Sequence, residues 1–412
     1  MKKILIYGMG KTGKELKKHC KKNSINFCTF DDKTDQQSDF IYYLKKCSEI
    51  VVSPGIGLKN KNLKLALKKK IKIISEIEFA SRFINKPIVA ITGTNGKTTT
   101  SMLTGELLKS AGLKIFLGGN IGTPLIKVVD SQKNFDLILV EVSSFQLQFI
   151  DKSFKPFISA FLNFSENHLD HHLNINEYKE SKMKIFKNQS KQDYAIVSQA
   201  DLIKKDSKSK KIDPLKNKQI FATNDKIIVG NMEIVKEHLN LVGPHNIQNI
   251  LFSLNIYSIF KKPSEKQINI IKNFSPPPHR LQKIEGNKII INDSKSTSPQ
   301  ATEVAIRSFN QKIILIMGGK DKGLNYNSLK SILRQRLKLL ILFGENKFEL
   351  SKFFSSQQKI IATNLYDAVS IGLKELRNKE VLLFSPGTSS YDQYDSFTQR
   401  GEAFTDYVKE LS

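Results

Sequence analysis

A glycine-rich loop with one lysine lies at residues 91–100, ITGTNGKTTT. Gly93 and Gly96 allow backbone N–H groups to approach a phosphate, and a helix that begins after them adds the positive end of its dipole. In such a loop Lys97 reaches the terminal phosphates of a nucleotide, and Thr98 binds Mg²⁺ through its hydroxyl. The apolar run PIVAI before the loop favours this interpretation over an ordinary glycine-rich turn. The loop therefore predicts ATP and Mg²⁺ chemistry, although it is shorter than the usual G-x-x-x-x-G-K-[ST] pattern.

A carboxylate and a histidine-rich loop follow in the same part of the chain. Glu141 ends the apolar run FDLILVE, where a buried carboxylate is costly unless it is paired or bound to a cation. It is a candidate Mg²⁺ ligand, with a structural salt bridge as the alternative. His168, Asp170, His171 and His172 lie in one polar loop, but no cysteine or H-E-x-x-H spacing supports a zinc site. We expect one of them at a Mg²⁺–phosphate site, and a surface position is the alternative for any single histidine.

A second glycine turn, GMGKTG at residues 8–13, follows the apolar run KKILIY. An acidic pair, Asp31 and Asp32, ends the next apolar run about twenty positions later, which is typical of dinucleotide-binding folds. The glycines allow a tight turn, and the N-terminus of the following helix can then bind a diphosphate. By itself this pattern also suits a nicotinamide oxidoreductase. That alternative leaves the loop at 91–100 and the last third of the chain unexplained.

Parallel sheets are needed to bring these residues together. Apolar runs alternate with helical stretches, a pattern that predicts β-α-β units whose strands end at one edge, where ligands bind. The proline run SPPPHR indicates a domain boundary near residue 275. Three later apolar runs each end in a glycine-rich or polar loop. We predict an α/β protein with three domains: a Rossmann-like domain at 1–83, a P-loop domain at 84–275 and a Rossmann-like α/β domain at 276–412.

Length and composition agree with a multidomain globular protein. The chain of 412 residues exceeds one typical domain, and no run of about 18 apolar residues indicates a membrane-spanning helix. The short apolar run at the N-terminus breaks at Gly8 and meets Lys11 and Lys14, so it does not make the apolar core of a signal peptide. The three cysteines lack C-x-x-C spacing, which suits a reducing cytoplasm.

The formal net charge of +26 raises the possibility of a nucleic-acid function. The lysines are scattered, however, without the alternation of aromatic and basic residues found in single-strand binders. A nucleic-acid-stimulated ATPase therefore rests on charge alone, and its turnover would fall steeply with salt. We expect no nucleic-acid partner and no membrane insertion, and we expect the basic surface to attract small anionic substrates.

Ten strings of this sequence resemble those of the Mur ligases and occur in the family's order. They are ITGTNGKTTT, GGNIGTPL, EVSSFQL, NFSENHLDHH, YKESK, GPHNIQN, PHRLQ, NDSKSTSP, MGGKDKG and SPGTSSYDQYDSFTQRGEAF. The compressed G-T-N-G-K-T loop is the family's form, and the resemblance spans nearly the whole chain. Within the family, GGNIG, EVSSFQLQ, NDSKST and the S-x-D-Q-x-x-x-F-x-x-R-G ending are most similar to the member that adds D-glutamate to UDP-N-acetylmuramoyl-L-alanine.

Two neighbouring classes of ligase fit the sequence less well. The chain has no D-N-P-R-like stretch of the diaminopimelate-adding relatives. Folylpolyglutamate synthase-like ligases do not begin with a domain that carries a GMGKTG-type turn. Another Mur ligase remains the nearest alternative within the same class of enzyme.

The resemblance implies three domains that bind, in chain order, the UDP-sugar, ATP, and D-glutamate together with ATP. It implies a cytoplasmic, monomeric, ADP-forming amide ligase of peptidoglycan precursor synthesis. The alanyl carboxylate of the substrate attacks the γ-phosphate of ATP to give an acyl phosphate, and the amine of D-glutamate then displaces phosphate. Positioning and cancellation of charge dominate such a reaction.

The resemblance also assigns site residues, position by position. Lys97, His168 and Lys182 are the implied catalytic residues, and a CO₂-derived carbamate on Lys182 converts it into an anion, although the sequence alone favours a solvated helix lysine. Two Mg²⁺ ions are implied, with Thr98, Glu141, His168 and carbamylated Lys182 as ligands. The implied ATP contacts are Gly93, Thr94, Asn95, Gly96, Lys97, Thr98, Thr99, Asn246, Arg280, Asp293 and Lys295. The implied UDP-sugar contacts are Gly10, Thr12, Asp31, Asp32, Lys33, Ser53, Gly55 and Asn120, and the implied D-glutamate contacts are Thr297, Lys322, Ser390 and Phe397.

Two positions depart from the family's pattern. Lys33 stands where arginine is frequent, so a bidentate contact would be lost. The turn SPGTSS beside Ser390 replaces a more alanine-rich one. Neither change touches the predicted phosphate or metal positions.

Overall fold

The computed structural model describes residues 3–131, 133–165, 172–198, 208–241, 243–275, 278–284, 286–321 and 323–412. The protein is of the α/β class, as predicted, and its described residues form three sheets that are wholly or mainly parallel and one small antiparallel sheet. In the described part of the chain, no helix is both long and apolar enough to cross a membrane.

The first sheet is parallel, with strand order β2-β1-β3-β4. Its strands are β1 (Lys3–Tyr7), β2 (Phe27–Phe30), β3 (Cys47–Val52) and β4 (Lys72–Ser75), and the helices that follow them are α1 (Lys11–Lys22), α2 (Gln37–Lys46), α3 (Lys61–Lys68) and α4 (Glu76–Ser81). The strands are short apolar runs, and parallel pairing requires a helical crossover between them. The turns that follow the strands therefore lie along one edge of the sheet.

The second sheet is also parallel, with strand order β10-β9-β8-β5-β7-β6. Its strands are β5 (Ile88–Thr92), β6 (Ile115–Gly119), β7 (Leu137–Glu141), β8 (Ile158–Phe161), β9 (Tyr194–Val197) and β10 (Lys210–Ile212). The helices between them are α5 (Lys97–Ser110), α6 (Ile126–Val129), α7 (Ser144–Gln148) and α8 (Ile175–Met183), with a 3₁₀ turn at Lys184–Phe186. Because β5 lies between β7 and β8, the loop after β5 is flanked by the ends of both.

The next elements are a small antiparallel sheet and two helices. The sheet is formed by β11 (Ile220–Ala222), β12 (Lys226–Val229) and β13 (Met232–Val235), and a 3₁₀ turn follows at Lys236–His238. Helices α9 (Pro244–Phe260) and α10 (Glu265–Asn273) come after it.

The third large sheet has strand order β14-β15-β19-β16-β17-β18, and only β14 runs antiparallel to its neighbour. Its strands are β14 (Gln282–Ile284), β15 (Ile289–Asn292), β16 (Ile313–Gly318), β17 (Leu337–Phe343), β18 (Lys359–Ile361) and β19 (Val381–Phe384). Its helices are α11 (Pro299–Arg307), α12 (Asn327–Arg336), α13 (Lys347–Phe353), α14 (Leu365–Glu375) and α15 (Phe397–Leu411). The sequence predicted the three strands that end at Gly318, Phe343 and Phe384.

The chain divides into two compact units. One comprises Met1–Glu237 and Ile247–Ile271, and the other comprises His238–Asn246 and Lys272–Ser412. The first two sheets lie in the first unit and share one hydrophobic core, in which Ile6 and Val51 belong to the same cluster as Val140 and Phe161. The third large sheet lies in the second unit and has apolar clusters on its two faces.

Candidate active site

The loop between β5 and α5 is the centre of the candidate site. Gly96 adopts a φ of +81°, in the left-handed region, and a Cβ at this position would lie 2.3 Å from Oδ1 of Asn249. Only glycine satisfies both demands. The amide of Thr94 donates to the carbonyl of Asn163 at 3.0 Å and that of Asn95 donates to its Oδ1 at 2.9 Å. These bonds fix the loop that the sequence predicted to bind phosphate.

Two lysine side chains converge on the carbonyl of Gly93. The Nζ of Lys97 donates to the carbonyls of Gly93 and Thr94, both at 2.9 Å. The Nζ of Lys182, from α8, donates to the Gly93 carbonyl at 2.8 Å. Lys182 is 2% exposed, so it is not the solvated helix lysine that the sequence alone favours.

Burial shifts the pKa of the Lys182 amine. It lowers the pKa of this amine well below its ordinary value, and the positive charge of Lys97 lowers it further, whereas Glu141 raises it. A buried lysine with a depressed pKa is more readily neutral, and the neutral amine is the nucleophilic form. The structure therefore places a buried amine with a depressed pKa at the wall of the glycine-rich loop.

Glu141, the last residue of β7, lies beside this loop because β7 pairs with β5. Its carboxyl group is 2% exposed. Its Oε2 accepts a hydrogen bond from the hydroxyl of Thr98 at 2.8 Å, and its Oε1 accepts one from Nδ2 of Asn120 at 2.7 Å. Both donors are neutral, so these contacts leave the negative charge of Glu141 available. Carboxylate and hydroxyl oxygens are the ligands that Mg²⁺ prefers, and the pair formed by Thr98 and Glu141 fits such an ion.

The histidine-rich loop is described only at its last residue. His168, Asp170 and His171 lie outside the described residues. His172 is fully buried, with Nδ1 2.9 Å from Oε2 of Glu177 and Nε2 2.9 Å from the hydroxyl of Ser144. A surface position for His172 is therefore wrong, because both ring nitrogens are engaged between α7 and α8. Within the described ranges, no three His, Cys, Asp or Glu side chains gather as a metal-binding group.

Similarity to named proteins shows the family to which the chain belongs. A family description for the Mur ligase middle domain matches residues 91–257. The chain is 33% identical over 442 residues to a UDP-N-acetylmuramoylalanine–D-glutamate ligase of Citrifermentans bemidjiense, with 99% of this chain and 97% of the relative covered. It is 34% identical to the ligase of the same name from Caldicellulosiruptor saccharolyticus, with 100% and 99% covered. The chain belongs to the Mur ligase family.

Solved Mur ligase structures share the fold. The MurF ligase from Thermotoga maritima, crystallised in complex with ADP, aligns with a TM-score of 0.61 and 16% identity over 91% of each chain. The UDP-N-acetylmuramate-alanine ligase MurC from the same organism aligns with a TM-score of 0.59 and 14% identity over 100% of each chain. At these identities the likeness concerns the fold alone.

In this Mur ligase, the turns of the first sheet contain a second group of predicted residues. The carboxylate of Asp31 accepts hydrogen bonds from the amides of Met9, at 2.7 Å, and Lys33, at 3.0 Å. These hydrogen bonds lower the pKa of Asp31, and the one from Met9 has the larger effect. The hydroxyl of Ser53 donates to the carbonyl of Gly8 at 2.7 Å. Asp31 and Ser53 thus stabilise the glycine turn. Gly10, Lys33 and Gly55 are exposed, and Thr12, in the first turn of α1, is half-buried.

Asp32 has partners that the sequence analysis missed. Its carboxylate accepts hydrogen bonds from the hydroxyl of Tyr7, at 2.8 and 2.7 Å. It also accepts hydrogen bonds from the side-chain amides of Asn60, at 2.8 Å, and Asn62, at 2.9 Å. The available signal was the pair of asparagines just before and within α3, since asparagine commonly caps helices. Such a network fixes the Asp32 side chain at the edge of the sheet where β1 and β2 end.

The second unit contains a third group of predicted residues, at the ends of β15 and β19. Asp293 is 5% exposed and accepts hydrogen bonds from the hydroxyls of Ser296, at 2.5 Å, and Ser385, at 2.9 Å. The Nζ of Lys295 lies 3.7 Å from the ring centroid of Phe397. Asn246 and Ser390 are buried, Arg280 and Thr297 are half-buried, and Lys322 lies outside the described residues.

Arg400 is a further residue that was not singled out from the sequence. It is fully buried, and its guanidinium donates to the carbonyl of Ser294, at 2.9 Å, and to that of Thr388, at 3.1 Å. Burial lowers the pKa of Arg400 to about 10. A buried cation bonded to two carbonyls joins the loops after β15 and β19, which contain the predicted ATP and D-glutamate contacts.

Asp293 should make the stability of the protein depend on pH. Burial outweighs its hydroxyl donors and raises its pKa to about 6, above the ordinary value of about 3.9. The folded state therefore binds the proton more tightly, and stability falls as pH rises from about 4 to about 6. We expect Asp293→Asn to remove a pH-dependent loss of about 3 kcal/mol across this window, measured by urea unfolding at several pH values. Asp395→Asn, a change of an exposed carboxylate in the same unit, is the control, and an equal loss in wild type and Asp293→Asn would contradict the assignment.

Proposed function

We propose that this Mur ligase joins D-glutamate to UDP-N-acetylmuramoyl-L-alanine, with ATP cleaved to ADP and phosphate, in the cytoplasmic synthesis of peptidoglycan precursors. The observation that carries the proposal is the extent of the similarity, since relatives named for this reaction match nearly the whole chain at 33% and 34% identity. The convergence of Lys97, Lys182, Thr98 and Glu141 on one phosphate loop supports ATP chemistry. The product would serve cell-wall biogenesis, and so cell shape and division.

The reaction has two steps. A carboxylate oxygen of the substrate's alanyl group attacks the γ-phosphorus, the bond to the ADP oxygen breaks, and an acyl phosphate forms. The amine of D-glutamate then attacks the carbonyl carbon, loses a proton, and expels phosphate from a tetrahedral intermediate. Each step brings anionic or electron-rich groups together, so cancellation of charge and fixed geometry supply most of the acceleration.

Residues of the phosphate loop supply the groups for the first step. Backbone amides of Gly96, Thr98 and Thr99 would bind phosphate oxygens, together with the N-terminal end of α5, whereas those of Thr94 and Asn95 hold the loop through Asn163. Lys97 turns from the carbonyls of Gly93 and Thr94 to the β- and γ-phosphates, where its charge is required. Because the loop is fixed by Asn163, ATP would bind to a preformed cradle.

Two Mg²⁺ sites complete the proposal. Thr98 and Glu141 would hold one ion, and His168 would hold a second together with Lys182 carbamylated by CO₂. Bound Mg²⁺ supplies charge neutralisation at the phosphates. The depressed pKa of Lys182 favours the modification, since the neutral amine attacks CO₂ and releases a proton to give an anionic carbamate. This change would replace a buried amine beside Lys97 by an anionic group.

The other contacts are proposed at the ends of the remaining strands. The UDP-sugar would contact Gly10, Thr12, Asp31, Asp32, Lys33, Ser53 and Gly55 in the first domain (1–83), and Asn120 in the second. Further ATP contacts are proposed at Asn246, within the predicted ATP-binding domain (84–275), and at Arg280, Asp293 and Lys295, within the predicted last domain (276–412). D-Glutamate would contact Thr297, Lys322, Ser390 and Phe397, where lysine and hydroxyl donors suit its carboxylates. We propose a monomer that takes small-molecule substrates.

Release of phosphate tests the proposed reaction. The protein is incubated with ATP, Mg²⁺ and UDP-N-acetylmuramoyl-L-alanine, and D-glutamate, L-lysine, diaminopimelate or L-alanine is offered separately. We expect release with D-glutamate only. Release with another amino acid instead would keep the ligase chemistry and overturn the assigned substrate, and no release with any of them would overturn the UDP-sugar assignment.

A further inference from the structure

Helix α4 carries two buried carboxyl groups that contact different loops. Glu76 and Glu78 are each 1% exposed. Both lie on α4, a helix of six residues that follows the last strand of the first sheet. Burial of a carboxyl group is costly, so each position requires specific partners. The partner of Glu76 lies at the start of α6 and the partners of Glu78 lie between α7 and β8, in the same compact unit.

Glu76 contacts the loop that carries Asn120. Its Oε1 accepts a hydrogen bond from the amide of Ile126 at 2.6 Å. Its Oε2 is buried and has no hydrogen-bond partner among the described residues. Burial raises the pKa of Glu76 to about 7, although the amides of Ile126 and Leu125 oppose this rise. A glutamine would therefore reproduce the neutral form of the group, with the same acceptor oxygen.

The segment 119–126, which we name the Asn120 loop, is compact and fixed at both ends. At its start, the amide of Asn120 donates to the carbonyl of Glu141 at 2.8 Å, and the side chain donates to the Glu141 carboxylate. Within it, the amide of Gly119 donates to the carbonyl of Thr123 at 2.8 Å. At its end, Glu76 holds Ile126. A shift at Ile126 is therefore transmitted to Asn120 through a short, internally bonded segment.

The glycine turn of the first sheet also contacts the Asn120 loop. The Nζ of Lys11, at the start of α1, donates to the carbonyl of Gly122. The first sheet thus contacts the loop at two points, from α1 and from α4. These two contacts set the distance between the turn proposed to bind the nucleotide and the asparagine proposed to bind the sugar.

We propose that Glu76 is a positioning residue for the sugar nucleotide, because its carboxyl group fixes the Asn120 loop relative to the first sheet. This inference rests on the proposed function, since it assigns a role in binding that substrate. Glu76 does not touch the reacting atoms, and its effect reaches them through Asn120 and Glu141. Loss of the carboxyl group should therefore weaken binding of the sugar nucleotide more than binding of ATP.

Glu78 provides a matched control on the same helix. Its carboxylate accepts hydrogen bonds from the amides of Lys152, Ser153 and Phe154, at 3.1, 2.8 and 3.0 Å. These amides outweigh burial and lower the pKa of Glu78. Loss of the Glu78 carboxylate should destabilise the fold at least as much as loss of the Glu76 carboxyl group. The affected residues, however, are those of the turn after α7 and not those of the Asn120 loop. The two variants separate a specific role from general destabilisation.

The experiment compares Glu76→Ala, Glu76→Gln and Glu78→Ala. For Glu76→Ala we expect the KM for UDP-N-acetylmuramoyl-L-alanine to rise by about tenfold or more, with the KM for ATP changed by less than about threefold. Glu76→Gln should restore the KM for the sugar nucleotide to near the wild-type value, because it keeps an acceptor for Ile126. Glu78→Ala should lower the Tm and leave this KM close to wild type.

Hydrogen exchange of the folded proteins gives a readout that does not depend on turnover. Amides of residues 119–127 should exchange faster in Glu76→Ala, and those of residues 152–154 should exchange faster in Glu78→Ala. If Glu76→Ala does not fold, Glu76→Asp carries the same expectation, since its shorter side chain withdraws the acceptor from Ile126.

The outcomes distinguish this inference from the proposed function. A wild-type protein that neither binds nor turns over the sugar nucleotide would overturn both. Normal wild-type turnover with an unchanged KM in Glu76→Ala, or an equal rise in Glu78→Ala, would overturn the role of Glu76 alone. Failure of Glu76→Gln to restore the KM would also contradict it, because the acceptor would then not be the decisive group.

Discussion

Lys182→Ala should reduce kcat by on the order of a thousandfold while the protein remains folded. The structure places Nζ of Lys182 against the Gly93 carbonyl, in the wall of the phosphate loop. If the amine is carbamylated, its removal deletes an anionic ligand beside the phosphates. The fold should tolerate the change, because burial of an amine beside Lys97 is itself unfavourable. Steady-state kinetics and thermal unfolding of the purified variant measure both effects.

Three controls sharpen the Lys182 prediction. Lys182→Met keeps most of the buried aliphatic stem and should be equally inactive but more stable than Lys182→Ala. Lys179→Ala changes a half-buried lysine of the same helix and should leave kcat near wild type. With ¹³C-labelled bicarbonate, a carbamate signal should be present in wild type and absent from Lys182→Ala, and small carboxylates such as acetate should restore part of its activity. Full activity of Lys182→Met would contradict the proposed modification.

Glu141→Gln should lower kcat/KM by on the order of a hundredfold to a thousandfold and shift the Mg²⁺ dependence to higher concentration. The substitution keeps the size of the side chain and one acceptor oxygen for the Thr98 hydroxyl. It removes the negative charge and places an amide where Asn120 now donates. The loss should therefore fall on cation binding, because Mg²⁺ prefers a carboxylate oxygen to an amide.

Titration of activity with Mg²⁺ at saturating ATP tests the assignment of Glu141. Glu106→Gln removes the same charge from an exposed position of α5, so it should leave the Mg²⁺ profile unchanged. A Glu141→Gln variant with reduced turnover but an unaltered Mg²⁺ profile would indicate that Glu141 fixes Asn120 and Thr98 rather than a cation. Unchanged turnover would exclude both roles.

Local sequence was sufficient for the phosphate loop. The order of an apolar strand, two glycines, lysine and threonines predicted β5, a tight turn and the start of α5, because each of these features depends on neighbouring residues. Glu141 was predicted at the end of a buried strand for the same reason. Its contact with Thr98 required a tertiary fact, namely that β7 pairs directly with β5.

The antiparallel β11–β13 sheet was not predicted from the sequence. Its strands are three or four residues long, and such short runs give too few repeats for a period to be recognised. The histidine-rich loop gave a set of candidates without a way to separate them. The fold places His172 between α7 and α8, so His172 does not occupy a surface position.

The chemical groups and the strand ends on which they lie could be predicted from the sequence, because the motifs are local and parallel strands end at one edge of a sheet. The burial of Lys182 and Arg400 and the partners of Glu76 and Asp32 became known from the packed fold. Glu76 contacts a residue 50 positions away and Arg400 one 106 positions away. Burial and long-range hydrogen bonds depend on how sheets and helices pack, and no local pattern of residues specifies them.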